Sequence, residues 1–202
     1  MKEKLDRRTE RTRQSLRMAF VNLVLTRGYT EISVEDIADE ANIGRSTFYM
    51  HYKSKVDLLK QSMARPSGVL SIMVGHDVPV DILVHQLTHF HEQRRINRPF
   101  FSEPIRTVWV KTLAELIEPR LVKLIRQVRA QPGLPPELIA LQIAEAQVAL
   151  ITNWLMGKPS LKPELVADAL KSATHATLSA LLNVSPAQPL LIAGEKLKVM
   201  RD

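Results

Sequence analysis

The sequence predicts an all-α protein: a small N-terminal unit of three helices, joined through a fourth helix to a larger helical remainder. Two observations predict it. Apolar residues recur at three- and four-residue spacing through most of the chain, and no stretch sustains the two-residue alternation of a half-buried strand. The joints between these segments carry Gly, Pro, Asn or Ser, the residues that stop or cap helices.

The first helix is expected over residues 8–28, where Leu16, Phe20, Leu23 and Val24 share a side and Gly28 supplies the stop. Ser33 then opens a second helix over 34–41. Its hydroxyl suits the amide of Asp36, whose carboxylate can reach back, and Glu35 and Asp36 suit the positive end of the helix dipole. Asn42, Ile43 and Gly44 make a three-residue break in which Asn tolerates left-handed backbone and Gly can stand at an N-cap. A short third helix, 45–52, follows. Ser54 with Asp57 repeats the capping pattern and opens a fourth helix through "VDLLKQSMA", with Pro66 as its expected stop. Helix, helix, tight turn and helix in this order is the helix-turn-helix layout.

Further helices are expected near 79–96, 102–130, 136–157 and 162–183, the second of them broken or kinked at Pro119. In the third, Ile139, Ile143, Ala146, Leu150 and Trp154 make one stripe, and Leu138, Leu141, Val148, Ile151 and Leu155 make another, so this helix needs two neighbours. The last helix carries Ala167, Ala169, Ala173, Ala176 and Ala180, small residues that allow close approach. The pair suits either an internal core or a four-helix interface between two copies of the chain. The expected organisation is a helix-turn-helix domain over 1–54, a second helical domain over 55–184, and a tail over 185–202 whose structure the sequence does not disclose.

Composition narrows the function. The 202 residues are 45% hydrophobic and 24% charged, ordinary for a chain that buries a core, and the net charge of +7 favours a polyanionic partner, nucleic acid or an anionic membrane surface. Cysteine is absent, which excludes disulfides and thiolate chemistry. No phosphate-cradling Gly-rich loop or acid/base constellation appears, so no enzyme and no cofactor are expected. The amino terminus "MKEKLDRRTERTRQ" lacks a signal's apolar core, and no apolar run reaches the roughly 18 residues that span a bilayer, so a cytoplasmic protein without a membrane is expected.

Charge placement points to the partner's site. Residues 1–17 hold seven bases against three acids, and Ala41 to Val56 holds Arg45, Lys53 and Lys55 with no acid, while helix two between them is acidic. Helix three is therefore the element to lie deepest in a polyanion. On it Phe48 and Tyr52 form a core stripe, and the other faces pair Arg45 with Tyr49, Ser46 with Met50 and Thr47 with His51. These present donors and acceptors of the kind that meet phosphates and base edges in double-stranded DNA, with Arg45 suited to bidentate guanine contact. Each also has a plainer role: Tyr49 as packing, His51 as a hydrogen-bonded histidine, Lys55 as a solvated charge.

At this point residues 12–59, "TRQSLRMAFVNLVLTRGYTEISVEDIADEANIGRSTFYMHYKSKVDLL", resemble the DNA-binding domain of the TetR (tetracycline repressor) family of transcription regulators. The resemblance lies in "RGY", in "SVEDIA" and above all in "STFYMHYKSKVDLL", where Thr47, Tyr49, His51 and Lys55 fall on the family's usual DNA-contacting positions. It also implies Ser33 as a phosphate contact and an arm from Lys2 to Arg13 that tracks the backbone or a minor groove. Where the family commonly has Gly, Ser and Gly, this chain has Asn42, Gly44 and Ser46; Gly44 removes a capping hydroxyl and Ser46 offers a replacement donor.

The resemblance implies a homodimer formed through the last two long helices, a palindromic operator, and repression relieved by a small-molecule effector, with activators and ligand-independent regulators also occurring in the family. Leu83, Leu87, Phe90, Ile105 and Trp109 are candidates to line the effector pocket, and the same spacing equally describes plain core. His76, His85, His89 and His91 cluster, but no carboxylate partner stands in fixed spacing, so no metal is expected. A basic membrane-surface or protein-interaction module using the first helix is the alternative of another class.

Overall fold

The computed structural model describes residues 2–96, 98–157 and 161–192. Its helices are α1 (Lys2–Arg27), α2 (Val34–Glu40), α3 (Arg45–His51), α4 (Lys55–Ile72), α5 (Val80–Glu92), a short 3-10 helix (Arg98–Phe101), α6 (Ile105–Val128), α7 (Pro136–Met156) and α8 (Pro163–Leu181). No strand forms among the described residues beyond one isolated bridge between Gly75 and Leu191. The architecture is all-α, with an N-terminal helix-turn-helix followed by a helical remainder. Two compact units divide the chain, residues 1–62 with 96–108, and 63–95 with 109–202.

The first unit is built on α1. Leu16, Phe20, Leu23 and Val24 are buried as their spacing predicts, and Gly28 ends the helix at φ +87, its amide bonded to the carbonyl of Val24 at 3.1 Å. Ile32, Ile37, Ala38, Phe48, Tyr52, Leu58 and Leu59 complete the core. Residues 96–108, which the sequence places with the second domain, belong to this unit: the Phe100 ring meets Phe20 edge-on, with centroids 6.4 Å apart, and Phe20 in turn meets Tyr29 at 6.2 Å.

The stop expected at Pro66 is absent, and of the break or kink expected at Pro119 the break is absent. Neither Pro66 nor Pro119 ends its helix: α4 runs on to Ile72 and α6 to Val128. A proline inside a helix costs about 3 kcal/mol or more. Each fully buried Leu or Ile returns about 1.5–3 kcal/mol, and such residues flank both prolines: Leu58, Leu59 and Leu70 in α4, Ile117, Leu121 and Leu124 in α6.

In the second unit α8 packs against both α5 and α7. The two stripes of α7 are only partly covered within the chain. Ile139, Ile143, Val148, Ile151, Trp154 and Leu155 are buried as expected, but Leu138 and Leu141 are exposed, and polar Gln147 and Thr152 are buried instead. Both side chains donate: Gln147 Nε2 to Thr174 Oγ1 of α8 at 3.0 Å and the Thr152 hydroxyl to the carbonyl of Val148 at 2.8 Å, while Gln147 Oε1 is buried without a partner. By length and composition α7 could cross a bilayer, yet 56% of its most apolar window is buried inside the protein, as a core helix requires.

Past α8, Asn183 turns the chain in the left-handed region at φ 53. The tail then returns to the joint between α4 and α5: Ile192 N donates to the carbonyl of Gly75 at 2.6 Å, and Gln127 Nε2 of α6 donates to the carbonyl of Leu191. Gly75 is obligatory at this crossing, because its φ is +94 and a Cβ there would stand 2.6 Å from Ile192 Cγ1. Residues 193–202 of the tail lie outside the described residues.

Candidate nucleic-acid interface

Helix α2 is set by its cap. The Ser33 hydroxyl accepts from Asp36 N at 3.1 Å while the Asp36 carboxylate accepts from Ser33 N at 2.7 Å, a reciprocal capping box. Arg27 Nη1 adds an ion pair to the same carboxylate at 2.7 Å. The hydroxyl of Ser33 and the guanidinium of Arg27 together hold the Asp36 carboxyl far below its ordinary value. At the far end Asn22 Nδ2 donates to Glu40 at 2.7 Å. The acids of α2 thus help tie it to α1.

The turn into α3 follows the sequence expectation. Asn42 adopts φ 52, its amide bonded to the carbonyl of Asp39 at 2.9 Å, and Ile43 N bonds to the carbonyl of Ala38 at 3.0 Å. Gly44 is the N-cap of α3 and supplies no side-chain hydrogen bond. Phe48 and Tyr52 anchor the helix at 0% and 1% exposure, their ring centroids 5.7 Å apart, with Tyr52 the first extended residue past its end.

With that stripe fixed inward, the remaining faces point out. Arg45, Ser46 and Tyr49 are exposed, and Thr47 and His51 are partly so. The Arg45 guanidinium carbon lies 5.7 Å from the Tyr49 ring centroid, so the side chain is held over an aromatic face. Met50, which the sequence reading left out of the contact set, is 80% exposed. Its place beside Ser46 on the helix wheel was the available signal. An apolar side chain projecting here can meet a thymine methyl in a major groove.

Two expected contacts sit differently. The Ser33 hydroxyl donates to Asp36 Oδ2 at 2.5 Å, so its proton serves the cap. Lys55, the first residue of α4, turns its ammonium onto the carbonyls of Tyr29 at 2.8 Å and Ile32 at 2.6 Å, over the Tyr29 ring at 4.3 Å. Desolvation there lowers its pKa, partly offset by Asp36 and Glu31.

The expected effector residues are spread over both units, Ile105 in the first and Leu83, Leu87, Phe90 and Trp109 in the second. Leu83, Leu87, Ile105 and Trp109 are each 1% exposed, and Phe90 meets Trp109 edge-on at 6.1 Å. A cavity of about 30 Å³ between α7 and α8, lined by Ile143, Gln147, Leu170 and Thr174 among others, has room for little more than a water molecule. The histidines disperse: His91 stacks on Trp154 at 5.1 Å, His76 Nδ1 lies 3.0 Å from Arg120, and His85 and His89 are exposed. Among the described residues no three His, Asp or Glu side chains converge as metal ligands would.

Comparison with known proteins agrees with this geometry. Residues 19–61 match the sequence profile of bacterial regulatory proteins of the tetR family. The HTH-type transcriptional regulator YxbF of Bacillus subtilis (strain 168) is 42% identical over 66 residues, 32% of this chain and 17% of that protein. YwcC of the same organism, also an HTH-type transcriptional regulator, is 35% identical over 75 residues, 37% of this chain and 34% of that protein. The matched part thus spans no more than about a third of either relative. A TetR transcriptional regulator from Streptococcus agalactiae 2603V shares the fold, with a TM-score of 0.53 and 24% identity over 86% of this chain and 99% of that one. With a matched helix-turn-helix, a two-part helical fold and an acid-free exposed α3, residues 19–61 are a DNA-binding domain of the tetR family type, and the chain as a whole shares the fold of a TetR transcriptional regulator.

Proposed function

We propose that this regulator reads a palindromic operator as a homodimer and represses transcription until a small molecule binds its second unit. The observation that carries the reading is α3 itself: two buried aromatics fix its register while Arg45, Ser46, Thr47, Tyr49 and His51 stay available, with no acid from Ala41 to Val56 to repel phosphate. Two copies of α3 about 34–36 Å apart would enter successive major grooves, which makes the operator an inverted repeat.

Support for the dimer comes from α7 and α8. Leu138, Leu141 and Leu165 are 51%, 39% and 57% exposed, and Ala169, Ala173, Ala176 and Ala180 line an exposed strip of α8 on which a second helix pair can approach closely. For the effector, Leu83, Leu87, Phe90, Ile105 and Trp109 supply apolar surface that a ligand would have to part. Such a ligand weakens DNA binding only by its differential affinity for two arrangements of α4, the helix whose residues 55–62 belong to the first unit and 63–72 to the second. The work is binding, without turnover, in the cytoplasm where the DNA lies.

Sequencing the fragments that the protein retains from its own sheared genome tests the reading. The expected result is a recurring inverted repeat upstream of a small set of genes. Retention of fragments without a shared sequence would contradict it.

A further inference from the structure

We propose that the C-terminal segment 184–192 is a strap that fixes the far end of α4, and so a positioning element for DNA binding. The inference deepens the DNA-binding reading and rests on it for its effect on affinity. Helix α4 ends at Ile72 and α5 begins at Val80, and three other elements hold the joint between them. At Gly75 the tail runs alongside through Leu191 as an isolated parallel bridge, with Ile192 N donating to the carbonyl of Gly75 at 2.6 Å. Arg120 Nη2 of α6, a donor only, stands 3.0 Å from His76 Nδ1. Lys171 of α8 donates to the Asp77 carboxylate and to the carbonyl of Val78, each at 2.8 Å. Four successive residues are thus each tied to another element.

Of these grips, the tail is the one the joint is shaped to receive. Gly75 has left-handed backbone of the kind that Asn42 and Asn183 adopt elsewhere in the chain, so the turn alone does not demand glycine. The close approach does, because a Cβ there would stand 2.6 Å from Ile192 Cγ1. The tail is itself anchored: Leu190 is buried, and Gln127 of α6 donates to the carbonyl of Leu191. The pair of Lys171 with Asp77 is a weaker hold, since the Asp77 side chain is 77% exposed and water screens it. On the α4 side, Met73 N and Val74 N bond to the carbonyls of Leu70 and Ser71 at 3.3 and 3.1 Å, and Leu70, Met73 and Val74 are buried. A shift of the joint is therefore carried into the helix. Residues 55–62 of that helix belong to the first unit and follow closely on α3, so holding its far end limits the arrangements open to the recognition helix.

The test compares Gly75→Asn and Ile192→Pro, separately and together, with the wild-type chain. The first keeps a residue suited to left-handed backbone and blocks the tail with its Cβ; the second removes the amide that Gly75 receives. Ile192 lies outside every helix, so its replacement leaves the helical core intact. Amide exchange is followed over residues 73–78 and over the tail, and affinity is measured on a duplex that the wild type selects, across a salt series. Each variant should quicken exchange in both segments about fivefold, the worth of one hydrogen bond. The double variant should go no further than the singles, because both break one contact. Specific affinity should fall by about two- to fivefold as fewer molecules hold the competent arrangement. The slope of log affinity against log salt should stay unchanged, since no cation is altered. Quicker exchange in the tail with the joint unchanged would overturn the proposal. So would additive effects in the double variant, or unchanged affinity with a loosened joint. Should the wild type select no duplex at all, the DNA reading fails, and exchange over 73–78 still decides whether the strap holds the joint.

Discussion

Asp36 shows how one side chain serves both a helix cap and an ion pair between helices. It closes the cap of α2, pairs with Arg27 and keeps the Ser33 hydroxyl occupied. Because its folded pKa is depressed, its contribution to stability is fully present above the ordinary carboxyl value of 3.8 and is lost as pH falls below it. Asp36→Asn should therefore be less stable than the wild type at neutral pH, with the gap narrowing as pH falls through 4 and below, as chemical denaturation would record. A gap independent of pH would mean that the carboxylate's charge contributes nothing. The sequence disclosed this pair through its serine and acid three apart, but not the ion pair to Arg27, because residues 27 and 36 lie on different helices. The same limit hid the partners of Lys55, whose carbonyls are 26 and 23 residues away and belong to the backbone, where residue identity leaves no mark.

Local elements were legible wherever one signal decided them. The start of α2, the left-handed Asn42, the span of α3 and its inward Phe48 and Tyr52 all follow from caps and helical spacing. Prolines misled because their cost is local while the burial that outweighs it comes from the rest of the fold, as in α4 and α6. The inward Gln147 of α7 escaped notice for a related reason: periodicity finds a face, and only packing says what covers it. Gly44 is the weakest point of the recognition element, an N-cap without a side-chain acceptor. A Cβ there meets nothing closer than Ser46 Oγ at 3.7 Å, so a serine fits. Gly44→Ser should raise stability by about a few tenths of a kcal/mol, a small rise in melting temperature, without loss of DNA affinity. Lower affinity would show that the backbone at Gly44 approaches the duplex too closely for a side chain.

At the scale of the whole molecule, the division into two units was only partly readable. Helical spacing gave the helix-turn-helix, but nothing local marks residues 96–108 as part of the first unit; the contact of Phe100 with Phe20 joins positions 80 residues apart in sequence. The proposed dimer makes its own prediction. Wild-type protein should sediment at twice the chain's 22.9 kDa, and Ala173→Glu, which places a charge on the exposed strip of α8, should sediment as a single chain. A variant that stays dimeric would move the interface elsewhere.

The central claim, that the exposed face of α3 reads sequence, is tested most directly by selecting duplexes from a random library with the wild type and with Arg45→Ala. The account predicts an enriched inverted repeat for the wild type. For the variant it predicts the same repeat with one base pair in each half-site relaxed, a loss of about 1–3 kcal/mol of discrimination at that position alone. No enriched repeat, or a variant weakened equally at every position, would contradict it.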